Sequence, residues 1–169
     1  MGTSVTISAA TVEDAEQVFK LRHLAFQSEA ARYDNWRIEP LTQSLDSVRA
    51  ELAAGAVVVA RLGEEVVGAV RGSVGEDGTG VIGGLCVHPR LQGHGLGARL
   101  LTSMERALAE AVADRAPAAR FRLLAGTRAD SDLRLYRRAG YVRVGDRVAE
   151  DGVEMVVLEK EAGEYVVSA

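Results

Sequence analysis

The stretch from Leu85 to Leu101, LCVHPRLQGHGLGARLL, holds the residues whose types and spacing best fit a chemical role. Three glycines, Gly93, Gly95 and Gly97, fall within five residues between an apolar segment and a helix-like one. Glycine costs conformational entropy in such a place, so something must offset that cost. Amide groups at a helix start have no intrahelical partner, and the helix dipole adds positive potential there. Because glycines let a bulky anion approach such amides, the spacing predicts a phosphate or pyrophosphate cradle.

The same glycines also fit the dinucleotide fingerprint G-x-G-x-x-A, which would indicate a nucleotide-binding oxidoreductase. The surrounding sequence disfavours this alternative. In the dinucleotide fold the first strand runs directly into the first glycine, whereas residues 89–92 intervene here. The preceding strands are joined by turns too short for crossovers. The acidic residue expected roughly 20 positions later would be Glu110 or Asp114, and both lie within a predicted helix.

Hydrophobic periodicity predicts the elements that must position this loop. We expect strands at 5–10, on both sides of the turn at 63–65, at 81–87, at 119–125, and in a closing hairpin across residues 150–152. We expect helices from Val12 to about Ala31, from Ser44 to Gly55, after the glycines, and from Ser131 to Ala139. The prediction is a single α/β (α+β) domain. Its mixed, mostly antiparallel central sheet has six to seven strands and is flanked by about four helices.

Composition limits the classes of function. The 169 residues, 47% hydrophobic and 26% charged, fit one domain with a real core. A net charge of -4 argues against nucleic acid as a partner and suits a cationic ligand. The lone Cys86 favours a reducing compartment, and no Cys/His spacing predicts a metal site. With no signal-peptide pattern and no apolar run of roughly 18 residues, we expect a cytoplasmic protein that does not bind membranes.

Two segments resemble the GCN5-related N-acetyltransferase (GNAT) superfamily. Leu85–Ala98 resembles its central motif, with Val-x-Pro before the loop and a Gln-x-x-Gly-x-Gly core. Leu133–Tyr141, LRLYRRAGY, resembles the second signature, a helix with a tyrosine followed by glycine and an aromatic residue. The order of strands and helices resembles the family over nearly the whole chain. We therefore expect an acetyltransferase domain at 5–160 and a C-terminal tail at 161–169.

The resemblance implies acetyl-CoA as co-substrate and transfer of its acetyl group to a primary amine by direct attack in a ternary complex. It implies that the backbone of the preceding strand pairs with the pantetheine arm and that the loop amides bind the pyrophosphate. Tyr136 matches the tyrosine that protonates the leaving thiolate, and the alternative is a helix-face aromatic in the core. The implied cofactor-binding residues are Leu85, Cys86, Val87, Gln92, Gly93, His94, Gly95, Leu96, Gly97 and Ala98.

The chain departs from the fuller family pattern at the general base. Many members have a glutamate in the strand before or after the glycine helix, but VIGGLCV and FRLLA contain none. Ala129 stands where many members have an asparagine. Asp34, Glu39 and Glu154 are candidate bases acting through water, or simply surface carboxylates. A non-catalytic acyl-CoA-binding sensor or regulatory module therefore remains an alternative.

The segment RYDNWRIEP is the predicted acceptor-side wall. Tyr33, Asp34, Trp36 and Glu39 combine aromatic surface with negative charge. That mixture suits a cationic amine through cation–π and carboxylate contacts, while the alternative is an aromatic plug over the core. The acceptor is an amine of a small molecule or a protein, and a homodimer is left open.

Overall fold

The computed structural model describes residues 4–110 and 116–163, apart from the side chain of Glu39. Within these residues, seven strands form a sheet in the order β1-β2-β3-β4-β5-β7-β6. The strands are β1 (Val5–Ala9), β2 (Val57–Leu62), β3 (Glu65–Val74), β4 (Thr79–Val87), β5 (Arg120–Gly126), β6 (Val142–Val148) and β7 (Glu154–Glu161). The α-helices are α1 (Ala15–Ala25), α2 (Gln27–Tyr33), α3 (Glu39–Thr42), α4 (Leu45–Ala53), α5 (Leu96–Ala109) and α6 (Asp130–Arg138).

The sheet is mixed and mostly antiparallel, which confirms the predicted fold class. The pairs β1–β2, β2–β3, β5–β7 and β6–β7 are antiparallel. Strands β4 and β5 pair in parallel. A parallel pair needs a crossover connection, and α5 provides it. The loop before α5 therefore lies at the carboxyl end of β4.

The long helix predicted from Val12 to about Ala31 is divided in the structure. A 3-10 turn at Val12–Asp14 precedes α1, and the helix breaks at Phe26, whose backbone has φ −91° and ψ 1°. Periodicity did not locate this break because apolar residues recur on both sides of it. The short α3 lies between two predicted helices, where the sequence predicts no helix. Residues 164–169 of the predicted tail lie outside the described residues.

The chain forms two compact units, and β3 and β4 contribute to both. The first unit contains the described residues up to Arg71 together with Gly84–Ser103. Its core packs α1 and α4 against β2 and β3. A Cβ at Gly68 of β3 would lie only 2.8 Å from Leu100 Cδ1, so α5 packs directly on the strand there. That contact fixes the start of α5. The apolar cluster comprises Ala10, Ala15, Val18, Leu21, Val48, Leu52, Val57, Val59, Val66, Ala69 and Cys86.

The second unit contains Gly72–Gly83 and the described residues after Ser103. Phe121 and Leu123 of β5 are buried in its core. A carboxylate is buried there as well, since Glu105 of α5 is only 1% exposed. Tyr141 donates its hydroxyl hydrogen to Glu105 Oε2 at 2.6 Å, and Lys160 Nζ lies 3.1 Å from both carboxylate oxygens. This cluster supplies the cation and the donors that a buried carboxylate requires.

Candidate active site

Strand β4 contains two consecutive glycines, Gly83 and Gly84. Its parallel register with β5 runs from Thr79↔Arg120 to Ile82↔Leu123. Gly84 follows with φ 62°, in the left-handed region that favours glycine. Glycines inside a strand often mark a backbone irregularity, and the positive φ of Gly84 is such an irregularity. The segment predicted to contact the pantetheine arm, Leu85–Val87, begins directly after it.

Side chains of Leu85–Val87 alternate in burial, as expected for a strand. Cys86 is 6% exposed and belongs to the apolar cluster of the first unit, whereas Leu85 and Val87 are half-buried. Burial raises the pKa of the Cys86 thiol to about 12. Because the thiol is then neutral near pH 7, it is a poor nucleophile. Cys86 thus packs in the core, and only its backbone is suited to contact a cofactor.

Two side-chain hydrogen bonds hold the loop that follows β4. His88 Nδ1 accepts from the Arg90 amide at 3.1 Å and closes the 3-10 turn Pro89–Leu91. Gln92 Nε2 donates to the Val87 carbonyl at 3.2 Å. The histidine and the glutamine therefore fix the backbone before the first glycine.

Gly93 and Gly95 both have positive φ, 83° and 79°. A Cβ built at either position would meet nothing within 4 Å. Backbone conformation, and not crowding, therefore requires glycine here. The same open space leaves room for a ligand beside the loop, where Gln92–Gly95 are exposed.

Helix α5 begins directly after these glycines. The Arg99 amide donates to the Gly95 carbonyl at 3.2 Å, so the amides of Leu96–Ala98 precede this helical bond and have no partner within the helix. Leu96 is 4% exposed and anchors the first turn in the core, while Ala98 is exposed. All the predicted loop residues are thus brought together at a helix start, an arrangement suited to anions.

Tyr136 lies in the second unit, on α6. It is 5% exposed, and its ring centroid lies 6.2 Å from that of Tyr141 in an edge-to-face arrangement. Ala129, at the position of the missing asparagine, precedes α6 as its N-cap and is buried. The role of Tyr136 as the acid stays a prediction.

The predicted acceptor wall follows α2. Tyr33 is the last residue of α2, and Asp34 ends the helix with φ 49°, a conformation that aspartate tolerates. Trp36 is 56% exposed, so it does not plug the core. The side chain of Glu39 lies outside the described residues. Glu154, the other candidate base, is exposed at the start of β7.

A family model described as an acetyltransferase (GNAT) domain matches residues 24–162, most of the chain. The chain belongs to the GNAT acetyltransferase family. Solved structures of other proteins share its fold. No curated protein matches the sequence.

Three of these structures illustrate the likeness. The ribosomal-protein-S18-alanine N-acetyltransferase of Escherichia coli is 15% identical, with a TM-score of 0.70 and 94% of each chain covered. YncA of Salmonella typhimurium, solved with its cofactor acetyl-CoA, is 16% identical, with a TM-score of 0.71 over 94% of each chain. The PaiA N-acetyltransferase of Thermoplasma acidophilum, solved with coenzyme A, is 14% identical, with a TM-score of 0.70 over 94% of this chain and 99% of that one. At these identities the likeness shows the fold.

Sequence reasoning missed an ion-pair network in the first unit of this GNAT chain. Arg22 of α1 and Arg71 of β3 both pair with Glu51 of α4, at 2.9 Å and 3.0 Å. One sequence signal pointed to it. Arg22 lies four residues after the buried Val18, on the helix face that packs against the core.

Two findings concern metals and membranes. In the part of the GNAT chain that the structure describes, no three His, Cys, Asp or Glu side chains are grouped as a metal site would require. None of the helices described there is long and apolar enough to span a membrane.

Proposed function

We propose that this GNAT chain transfers an acetyl group from acetyl-CoA to a primary amine by direct attack in a ternary complex. The observation that carries the proposal is the loop at Gly93 and Gly95, where positive φ angles and open space precede the exposed start of α5. Membership in an acetyltransferase family supports it. Acetyl-CoA has the pyrophosphate that such a loop is suited to bind.

The two ends of acetyl-CoA would contact two adjoining stretches. Amides of Gly93–Ala98 would donate hydrogen bonds to the pyrophosphate oxygens, with Gln92 fixing the approach to the loop. The backbone of Leu85–Val87, beyond the register that β4 shares with β5, would pair with the pantetheine arm. The thioester would then lie near Val87, whose N–H is the candidate donor to the developing oxyanion.

In the proposed reaction, the neutral amine nitrogen attacks the thioester carbonyl carbon. A C–N bond forms, the C–S bond breaks, and CoA leaves as a thiolate. Tyr136 donates its phenolic proton to that thiolate and regains one from solvent. The proton lost by the amine passes through water, with Asp34, Glu39 or Glu154 as the candidate base.

A non-catalytic acyl-CoA-binding module is the second candidate. It is favoured by the absence of glutamate in VIGGLCV and FRLLA and by Ala129 in place of asparagine. Both candidates predict acetyl-CoA binding. They differ in turnover, since a sensor or regulatory module would release no CoA in the presence of amines.

Titration calorimetry with acetyl-CoA and CoA, with NAD and ATP as controls, tests the shared binding step. We expect acetyl-CoA and CoA to bind, and we expect NAD and ATP not to bind. Binding of NAD alone would restore the oxidoreductase alternative. A panel of amines assayed for CoA release then separates transferase from sensor. Binding without release for every amine would contradict the transferase proposal.

A further inference from the structure

Helix α6 ends in a capping motif that joins Tyr136 to Tyr141. The Tyr141 amide donates to the Tyr136 carbonyl at 3.0 Å. The Gly140 amide donates to the Arg137 carbonyl at 3.1 Å, and Gly140 has φ 99°, in the left-handed region that this motif favours. The rings of Tyr136 and Tyr141 also pack edge to face, with their centroids 6.2 Å apart. Tyr141 therefore contacts Tyr136 through both the backbone and the ring.

The other end of Tyr141 is held by a buried carboxylate. Tyr141 is 2% exposed, and its hydroxyl donates to Glu105 Oε2 at 2.6 Å. Lys160 Nζ donates to both Glu105 oxygens at 3.1 Å and lies 5.4 Å from the centroid of the Tyr141 ring, which suits a cation–π contact. Hydrogen bonds to charged groups are the stronger ones, and satisfied polar networks make a core rigid. The Tyr141 ring is thus fixed at its hydroxyl by Glu105 and over its face by Lys160.

Packing alone does not require charged groups at this place. Glu105 is 1% exposed, and replacing a buried ion pair by well-packed apolar residues is often neutral for stability. The charged cluster adds one defined arrangement, because any other position of the ring leaves a buried hydroxyl or charge unsatisfied. The Tyr136 ring packs directly against this fixed ring and is itself only 5% exposed. Its orientation is therefore set by these neighbours.

We propose that Glu105 is a positioning residue for acetyl transfer: its carboxylate fixes Tyr141, and Tyr141 holds the Tyr136 phenol in the orientation from which it protonates the leaving thiolate. This inference rests on the proposed transfer and on the proposed role of Tyr136 as the acid. The phenolic proton of Tyr136 moves to the thiolate sulfur, and Tyr136 regains a proton from solvent. Such a donor must lie within hydrogen-bond reach, and a misplacement of roughly 1 Å can cost about 100-fold in rate.

Tyr141→Phe tests the inference, because it keeps the ring and removes the hydroxyl that Glu105 holds. CoA release is measured with acetyl-CoA and the amine that reacts fastest, and CoA binding is measured by titration calorimetry. We expect kcat to fall about tenfold to 100-fold, while the Kd for CoA changes less than about twofold. A kcat equal to that of the parent would overturn the positioning role.

Combination with Tyr136→Phe separates positioning from a general effect on the fold. If Tyr141 acts only through the Tyr136 hydroxyl, adding Tyr141→Phe to Tyr136→Phe should change kcat less than about twofold. Equal losses in both backgrounds would overturn the inference alone. Turnover by Tyr136→Phe at the parent rate would leave no acid to position, which overturns the inference but not the transferase proposal. Acetyl-CoA binding without CoA release from any amine would overturn both.

Two substitutions of Glu105 provide a graded comparison. Glu105→Gln keeps an oxygen that can accept from the Tyr141 hydroxyl, whereas Glu105→Leu removes it. We expect kcat of Glu105→Gln to exceed that of Glu105→Leu about twofold to tenfold, the effect of one hydrogen bond. Should Glu105→Leu fail to fold, the Tyr141→Phe and Tyr136→Phe variants still decide the inference.

A control is needed for the stability that these variants lose. Val156→Ala shortens another buried side chain of the second unit, so it should lower the free energy of unfolding and keep the kcat of the parent. A kcat that falls with the free energy of unfolding in every variant, Val156→Ala included, would overturn the positioning role of Glu105.

Discussion

Replacing Gly95 by alanine tests the anion cradle through its backbone alone. The residue has φ 79°, and an added Cβ would meet no atom within 4 Å. The substitution therefore introduces strain without a clash. Holding a non-glycine residue at such an angle costs about 1–2 kcal/mol. Gly55, with φ 73° and equally free space, offers a control with the same expected cost at the end of α4.

The two variants should differ in ligand binding. To relieve its strain, Gly95→Ala must turn the amides at the start of α5 away from the pyrophosphate. A hydrogen bond to a charged group contributes about 1.5–3 kcal/mol. Loss of one such bond should raise the Kd for CoA about 10–150-fold. Gly55→Ala leaves the loop intact, so its Kd should stay within about twofold of the parent value.

Urea unfolding and titration calorimetry measure the two effects separately. We expect both variants to lose similar stability and only Gly95→Ala to lose affinity. An unchanged CoA affinity in Gly95→Ala, at a comparable loss of stability, would refute the cradle. Equal weakening in both variants would show that the affinity follows global stability and not loop geometry.

Three further predictions concern the acid and the buried charges. Tyr136→Phe should lower kcat while the CoA Kd changes less than about twofold, and equal turnover in both proteins would remove Tyr136 as the acid. Lys160→Met removes the ammonium group that pairs with the buried Glu105 carboxylate and should lower the free energy of unfolding by about 3–5 kcal/mol. Adding Glu105→Gln should restore much of it, and a loss in the single variant below about 1 kcal/mol would contradict the pairing. Hydrogen bonds from Arg61 hold the pKa of Asp14 below its usual value of 3.8, so the stability they give is complete above that value and is lost as pH falls through the lower, folded pKa. The difference in unfolding free energy between the parent and Asp14→Asn, about 1.5–3 kcal/mol near neutral pH, should therefore shrink in acid, and a pH-independent difference would disprove the effect.

Most of the strand pattern could be predicted from the sequence, because burial selects local composition. Four consecutive apolar residues, Val57–Ala60, identify β2 in the sequence, and all four are buried in the structure. The turn at 63–65 sets the hairpin of β2 with β3. The break between α1 and α2 at Phe26 could not be predicted in this way. The Phe26 N–H still donates to the Arg22 carbonyl at 3.0 Å, so the chain stays nearly helical through the break. A break this slight leaves no glycine or proline signal in the sequence.

The loop of the candidate site was predictable for a different reason. Its glycines, the preceding proline and the following helix are local features, and local geometry determines where the amides point. For the Arg22–Glu51–Arg71 network, the only local signal is the place of Arg22 on the core-facing side of α1, and that signal does not identify its partners. Arg71 and Glu51 are 20 positions apart, on a strand and a helix. Only the packing of α1 and α4 against the sheet brings such charges together, and no periodicity encodes the pairing.

The acidic net charge also says nothing about which charged side chains the fold brings together. A charge of -4 was one reason to expect a cationic acceptor. Salt screens exposed charges beyond about 8–10 Å, whereas a fixed guanidinium acts on a group in direct contact with it. Several acidic side chains are already paired, such as Asp14 with Arg61 and Glu51 with Arg22. The net charge therefore does not show which charged group stands beside Gly84, where the structure places the Arg71 side chain.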